Sequence, residues 1–330
     1  MSMTLVEAAK YSNDILQAGV IELLTKDDPI LERLPFIDIV GNGLTYNVET
    51  TRAGADFYAV GDTWLKKEST VTRATAVTTI LGGDAEVDNF LKATRSNIQD
   101  LMGEQIESKT KEIRDEYLKS FYYGYQTGGG TDAKKFDGLH YLIRRTSTPN
   151  PNAFAVNDSS SGTPAAASML ELEKAVDAIV GQRPDLIVMS KQCRRNLNAY
   201  LNGVGGVTKD MVAGKPVQTV FEIPLATSDQ ISDDESCDSA SYVNSDYGHN
   251  YADGTGLADD DNGTTVFVLS FGPKFVCGLQ SLPLTVEPPQ KMETKDADFV
   301  RIKWYPGLML QQVISASKYS GISNATWTVT

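Results

Sequence analysis

A chain of 330 residues, with 41% hydrophobic and 22% charged residues, is long enough to bury a sizeable core and too ordinary in balance for a wholly disordered protein. Its formal charge of −13 is local: Pro216 to Pro273 holds eleven Asp and Glu and no Lys or Arg, and without those eleven the chain stands near neutrality, which argues against a general nucleic-acid binder with its clustered basic surface. No basic-then-apolar leader opens the chain and no stretch reaches bilayer length, so the expectation is a soluble, cytoplasmically made protein without a membrane partner.

Residues 1–35 read as an arm with short helical pieces. Leu5, Ala8 and Ala9 lie at helical spacing, as do Val20, Leu23 and Leu24, and Asp28-Pro29 and Leu34-Pro35 then break the run. Residues 44–50 and 71–81 are rich in β-branched residues and alternate, which predicts two strands. Between them lie Gly54, Phe57, Tyr58, Gly61 and Trp64, so the pair reads as an extended hairpin projecting from the body, marginal without a partner. Gly82-Gly83 then predicts a hinge or turn.

The longest helical signal covers roughly 90–122, where Leu91, Ile98, Met102, Ile106, Ile113, Tyr117 and Phe121 recur at three-, four- and seven-residue steps. Glu107 and Lys111, and Asp115 and Lys119, stand at i,i+4 in the favourable order, and Gly124 sits where a terminating glycine belongs. Such a helix would be a rod of roughly 45 Å, long for a compact domain. Residues 125–165 are rich in Gly, Ser, Pro and Asn, apart from Phe136-Asp137-Gly138-Leu139 and a short apolar run to Ile143. Ser168 and Glu171 form a capping-box pattern opening a helix through Val180; Leu186–Met189 reads as a buried strand, and Ser190 caps a helix ending near Gly203. Strands are expected at 217–223, 265–271, 274–280, 284–287, 298–305 and 308–317.

Catalytic side chains are sparse. His140 and His249 are the only histidines, and no G-x-S-x-G elbow accompanies them. Gly124 and Gly129 have phosphate-loop spacing, but Gly130 stands where lysine is required, and Gly128–Gly130 reads as linker. Asp259-Asp260-Asp261-Asn262-Gly263 is like the start of a calcium loop, yet Ser270 stands where the bidentate glutamate belongs; His249 near Asp246 and Asp253 would make at best a looser site. Cys193, Cys237 and Cys277 are far apart and read as buried thiols. No catalytic, cofactor-binding or metal site is expected. The basic pairs Lys66-Lys67 and Arg194-Arg195 are ordinary surface charges or, in an assembly, partners for a neighbour's acidic stretch.

The order of elements resembles the capsid fold of tailed bacteriophages, the Hong Kong 97 type, over essentially the whole chain. Ile80-Leu81-Gly82-Gly83-Asp84-Ala85-Glu86-Val87-Asp88 is similar to the run joining extended loop to spine helix in one capsid family. Phe136-Asp137-Gly138-Leu139 is similar to the stretch after the spine, and Leu34-Pro35-Phe36 fits the approach to the hairpin. The resemblance implies an α+β fold with an N-terminal arm at 1–35, an extended hairpin loop at 36–83 and a peripheral domain with the spine helix at 84–165. An axial domain at 166–280 carries an acidic insertion at 227–262, and return strands fill 281–330.

It also implies a major capsid protein, not an enzyme, that self-assembles through hexamers and pentamers into an icosahedral shell around double-stranded DNA, located in the virion. Portal and scaffolding proteins would be partners, with room for a decoration protein. An arm beginning near Met1 implies that any scaffold is a separate protein. Some relatives cross-link lysine to asparagine; Lys66 and Lys67 lie in the matching hairpin, with no partner identified. Two other readings stand beside this one: an encapsulin-like nanocompartment of the same fold, and, from another class, a hydrolase or carbohydrate-binding protein using the Asp-rich stretch, which would need a carboxylate pair in a pocket.

Overall fold

A computed structural model describes residues 3–4, 29–51, 53–90, 101–124, 126, 134–143, 153–155, 164–204, 206, 208–212, 215–233, 235–236 and 262–329. In chain order the first elements are β1 (Met3–Thr4), α1 (Pro29–Arg33), β2 (Pro35–Asp38), β3 (Gly43–Thr51), β4 (Thr70–Val77), β5 (Leu81–Asp88) and α2 (Leu101–Tyr123). There follow α3 (Leu139–Leu142), β6 (Ala153–Ala155), α4 (Met169–Asp177), β7 (Leu186–Met189), α5 (Lys191–Val204), β8 (Thr208–Val212), β9 (Lys215–Val220) and β10 (Ile223–Thr227). The chain closes with β11 (Glu235–Ser236), β12 (Asn262–Leu269), β13 (Val276–Val286), β14 (Gln290–Lys291), β15 (Ala297–Leu310) and β16 (Ala316–Ile322). The helical spacings of Leu5 to Leu24, the positions Leu91 and Ile98, Gly128–Gly130 and residues 237–261 lie outside the described residues.

One sheet joins distant parts of the chain. Its strands run β1-β2-β13-β15-β14, with β5 added along β15. Strand β2 lies parallel to β13, pairing Phe36 with Gly278, and β5 runs antiparallel to β15 from Ala297↔Asp88 to Trp304↔Leu81. On β5, Ala85 and Val87 are buried while Asp84, Glu86 and Asp88 are exposed, the alternation of a half-buried strand. Helix α2 covers that buried face. Its apolar stripe Ile106, Ile113, Tyr117 and Phe121 joins Phe36, Val300, Ile302 and Trp304 in one core, and the Tyr117 and Trp304 rings meet at 4.6 Å. Thr110 satisfies its buried hydroxyl by donating to the Ile106 carbonyl at 2.7 Å. On the outer face Glu107 pairs with Lys111 at 2.6 Å, while Asp115 is held by neighbouring Arg114 at 3.0 Å.

The second sheet, β6-β16-β12-β7-β10-β9-β8 with β11 on β12, is covered on both faces. Strand β7 is buried throughout, and its side chains alternate: Leu186 and Val188 face the core shared with α2, Ile187 and Met189 face α4 and α5. The capping expectations hold, since Ser168 Oγ accepts from the Glu171 N–H at 3.4 Å and Ser190 Oγ from the Cys193 N–H at 3.1 Å. The third unit is β3–β4, in register from Gly43↔Val77 to Thr51↔Thr70.

Several sequence expectations need correction. Gly82-Gly83 is no hinge: both residues are inside β5, paired with Lys303 and Ile302. Glycine is needed at 82 because a Cβ there would lie 2.5 Å from the Ile302 carbonyl oxygen. The strand expected over 71–81 therefore ends at Val77. The helix expected over roughly 90–122 holds where it is described, at residues 89–90 and over Leu101–Tyr123, and residues 91–100 lie outside the described residues. Pro29 opens the short helix α1, its fixed φ suiting the first helical position. The strands expected at 274–280 and 284–287 form one, β13, with irregular register between Gln280 and Thr285. Those expected at 298–305 and 308–317 meet as β15, and the break falls instead at a 3-10 turn over Val313–Ser315. Pro306 is tolerated because its carbonyl accepts from the Thr79 N–H at 2.9 Å, so its ring nitrogen points away from β13 and no ladder bond is lost. The single strand at 217–223 is a hairpin, β9–β10, closed by Phe221 and Glu222 at φ 51° and 60°.

Candidate assembly surfaces and a buried ionic cluster

The β3–β4 hairpin divides into a held root and a bare tip. At the root, Ala76 is buried with Cys277, Leu279 and Met309 of the first sheet, and Leu44 and Tyr46 pack against them. Tyr46 donates its hydroxyl to the Leu310 carbonyl at 3.1 Å, and the Thr78 and Ser281 hydroxyls meet at 2.9 Å. The tip, residues 53–69, has no such platform. Phe57 and Val60 are fully exposed, Trp64 is 79% and Leu65 67% exposed. Trp64 stacks on Tyr58 at 4.6 Å, Tyr58 accepts from the Leu65 N–H, and Lys67 pairs with Asp56 at 2.6 Å. Four large apolar side chains of one loop are therefore exposed to solvent, the composition of a contact surface.

The two basic pairs separate in space. Lys66 and Lys67 belong to this tip, whereas Arg194 and Arg195 are exposed on α5. On the same helix Lys191 pairs with Asp229 of its own chain at 2.6 Å, so one acidic residue of the 227–262 stretch is already matched within the subunit.

The end of α2 carries the densest chemistry. Gly124 and Gly138 bring two backbones into contact: the Gly138 N–H donates to the Gly124 carbonyl at 2.8 Å, and a Cβ on Gly138 would lie 2.6 Å from the Ser120 oxygen. Phe136 of the same stretch inserts its ring 5.5 Å from Tyr117, and Asp137 accepts from the Gln126 N–H at 3.0 Å. This places His140, on α3, in the interior against Tyr123, stacked at 4.9 Å and 16°.

Glu235 reaches the same place from β11. Only 3% exposed, it accepts from the Tyr123 hydroxyl at 2.5 Å and the Thr265 hydroxyl at 2.5 Å, and lies 3.5 Å from His140 Nε2. Buried Lys318, on β16, donates to the His140 carbonyl at 3.2 Å. Burial, reinforced by the Lys318 charge, holds the His140 imidazole well below its ordinary value, and burial brings Lys318 down to about 8. Burial and the Glu235 charge push the Tyr123 phenol well up. His140 is thus a core residue with polar neighbours; Glu235, in a run whose composition reads as solvated, is a buried anchor.

His249, Asp246, Asp253 and Asp259–Asp261 lie outside the described residues, as does Cys237. Cys193 and Cys277 are free and buried, and burial pushes both thiols up, Cys277 to about 12. Among the described residues no cluster of His, Cys, Asp or Glu could hold a metal ion, and no helix is long and apolar enough to cross a membrane.

A projecting hairpin, a long helix across one sheet and a second three-layered body are matched by known proteins. The family model described as SU10 major capsid protein matches residues 26–223, well over half of the chain. The chain belongs to the SU10 major capsid protein family. Solved structures share the fold at low identity. An encapsulin complex of Synechococcus elongatus is 11% identical over 89% of this chain and 87% of its own, with a TM-score of 0.60. A Mycobacterium phage Bobi structure is 13% identical over 88% and 89%, with a TM-score of 0.54, and the capsid structure of cyanophage P-SCSP1u 10% identical over 86% and 85%, at 0.53. No curated protein sequence matches the chain. Membership makes this SU10-type capsid protein a structural component of a virion shell with the Hong Kong 97 type of fold.

Proposed function

We propose that this capsid protein closes an icosahedral shell of hexamers and pentamers around double-stranded DNA, and that its β3–β4 hairpin is laid across a neighbouring subunit. The observation that carries the reading is the hairpin's division: a root fastened to its own sheet, and a tip whose Phe57, Val60, Trp64 and Leu65 find no cover in their own chain among the described residues. One such contact is modest, but many per shell make assembly cooperative, and closed symmetry stops head-to-tail growth. The near-neutral remainder of the chain suits a container that holds DNA without gripping its phosphates.

The proposal divides the chain into an arm at 1–35, an extended loop at 36–83, a peripheral domain at 84–165, an axial domain at 166–280 with the acidic insertion at 227–262, and return strands at 281–330. It assigns no catalytic step. Portal and scaffolding proteins, and a decoration protein on the outer face, are its partners, with synthesis in the host cytoplasm. The protein expressed alone and viewed by negative-stain electron microscopy with light scattering gives closed shells, or sheets and tubes of hexamers. A clean monomer at high concentration with a crowding agent refutes it. The fold shared with an encapsulin favours a second reading, a protein-filled compartment. Nuclease-protected DNA inside particles from the native source supports the virion, and co-purifying protein cargo without DNA supports the compartment.

A further inference from the structure

The Glu235 cluster joins the last residue of α2, the helix α3, the short strand β11, and β12 and β16 of the second sheet. We propose that it is an acid-released latch between the end of α2 and the second sheet. Among the described residues, the groups facing His140 include Tyr123 on α2, with Tyr122 beside it, Glu235 on β11, Lys318 on β16, and the Thr265 hydroxyl and Phe267 ring of β12. At neutral pH this set holds one carboxylate and one ammonium, with an uncharged imidazole 3.5 Å from the carboxylate and the ammonium on the His140 carbonyl, a balanced interior. A proton on His140 would add a second cation beside Lys318 with a single carboxylate to share, in a site closed to water.

The closed latch therefore refuses that proton, whereas an opened cluster, in water, accepts it at the ordinary histidine value. His140 is depressed in the closed form, so the stability it contributes is complete above the open-state value and is lost as pH falls below it. Each pH unit below about 6.5 shifts the balance toward the open form up to tenfold, so at about pH 5 opening is favoured roughly thirty-fold more than at neutrality. A reporter is built in, because the Ser232 N–H donates to the Tyr123 hydroxyl at 2.9 Å and is released when Tyr123 leaves Glu235.

Amide hydrogen exchange on the full chain, read by mass spectrometry and corrected for intrinsic rates, tests this. Between about pH 7.5 and pH 5, protection across 228–236 and 119–124 should fall roughly thirty-fold, while 186–189 changes far less. In His140→Gln the fall should vanish; in His249→Gln it should persist. Equal protection at both pH values in the wild type, or an unchanged response in His140→Gln, overturns the latch. Should His140→Gln fail to fold, exchange at the imidazole C2 position of the wild type decides: a His140 midpoint well below the ordinary value supports the latch, and an ordinary midpoint overturns it.

Discussion

Replacing Phe57 by serine isolates the hairpin tip from everything that holds the monomer together. Phe57 is fully exposed and belongs to none of the buried clusters, whereas Trp64 stacks on Tyr58, so removing Trp64 would also disturb the tip itself. If assembly buries the Phe57 ring against a neighbour, its loss costs the transfer free energy of one phenyl group, about 2 kcal/mol per subunit. At about 1.4 kcal/mol per decade, the critical concentration for assembly should rise roughly thirty-fold. Light scattering across a dilution series reads that threshold, and thermal unfolding of the unassembled chain is the control, expected to be unchanged. An unaltered critical concentration would show that the tip is not an assembly contact. A lowered melting temperature would show that Phe57 supports the monomer itself and would refute the separation of tip from body.

Tyr46→Phe keeps the ring over Cys277 and Met309 but removes the hydroxyl that meets Leu310, and should cost about 1 kcal/mol in urea unfolding. Gly124→Ala drives a methyl group into the Phe136 and Ser120 carbonyl oxygens and should destabilise by ~3 kcal/mol or leave the chain insoluble, with Gly203→Ala, in open space, as the neutral control. Burial brings Lys318 down to about 8 in the folded chain, below its unfolded value, so the unfolded state holds the extra proton and the Lys318 contribution to stability should rise with pH. Read as the difference between wild type and Lys318→Met, which cancels the opposite effect of the buried thiols, the gain from about pH 8 to about pH 9.5 should be about 1.5 kcal/mol in chemical denaturation.

Local signals carried much of this structure. The alternation around Val71 to Val77 and Leu44 to Thr50 marked the hairpin, Ser168 with Glu171 marked the start of α4, and the unbroken Leu186–Met189 run marked a strand covered on both faces. What escaped was set by partners far away in the chain. Gly82-Gly83 looks like punctuation until β15 lies beside it, more than two hundred residues later. Phe221-Glu222 contains no glycine or asparagine, yet both residues take left-handed conformations, held because Arg183 donates to the Phe221 carbonyl at 3.1 Å and to the Glu222 carboxylate at 2.6 Å. Glu235 sits among acids, and composition averages over neighbours; only the convergence of α2, α3 and β12 makes it interior.

The first sheet draws β2 and β5 from the early part of the chain and β13 and β15 from its last fifth. On a ribosome, those early strands have nothing to pair with until nearly everything else has been made, and pairings across such separations form late. The hairpin is bolted to the same late-arriving strands, through Tyr46 and Leu310. A prematurely terminated chain that lacks β15 therefore also lacks part of the mount for its hairpin. If the tip is the assembly contact, quality control comes with the topology: a fragment without β15 lacks a strand that fixes the hairpin root, and should not be recruited into a growing shell.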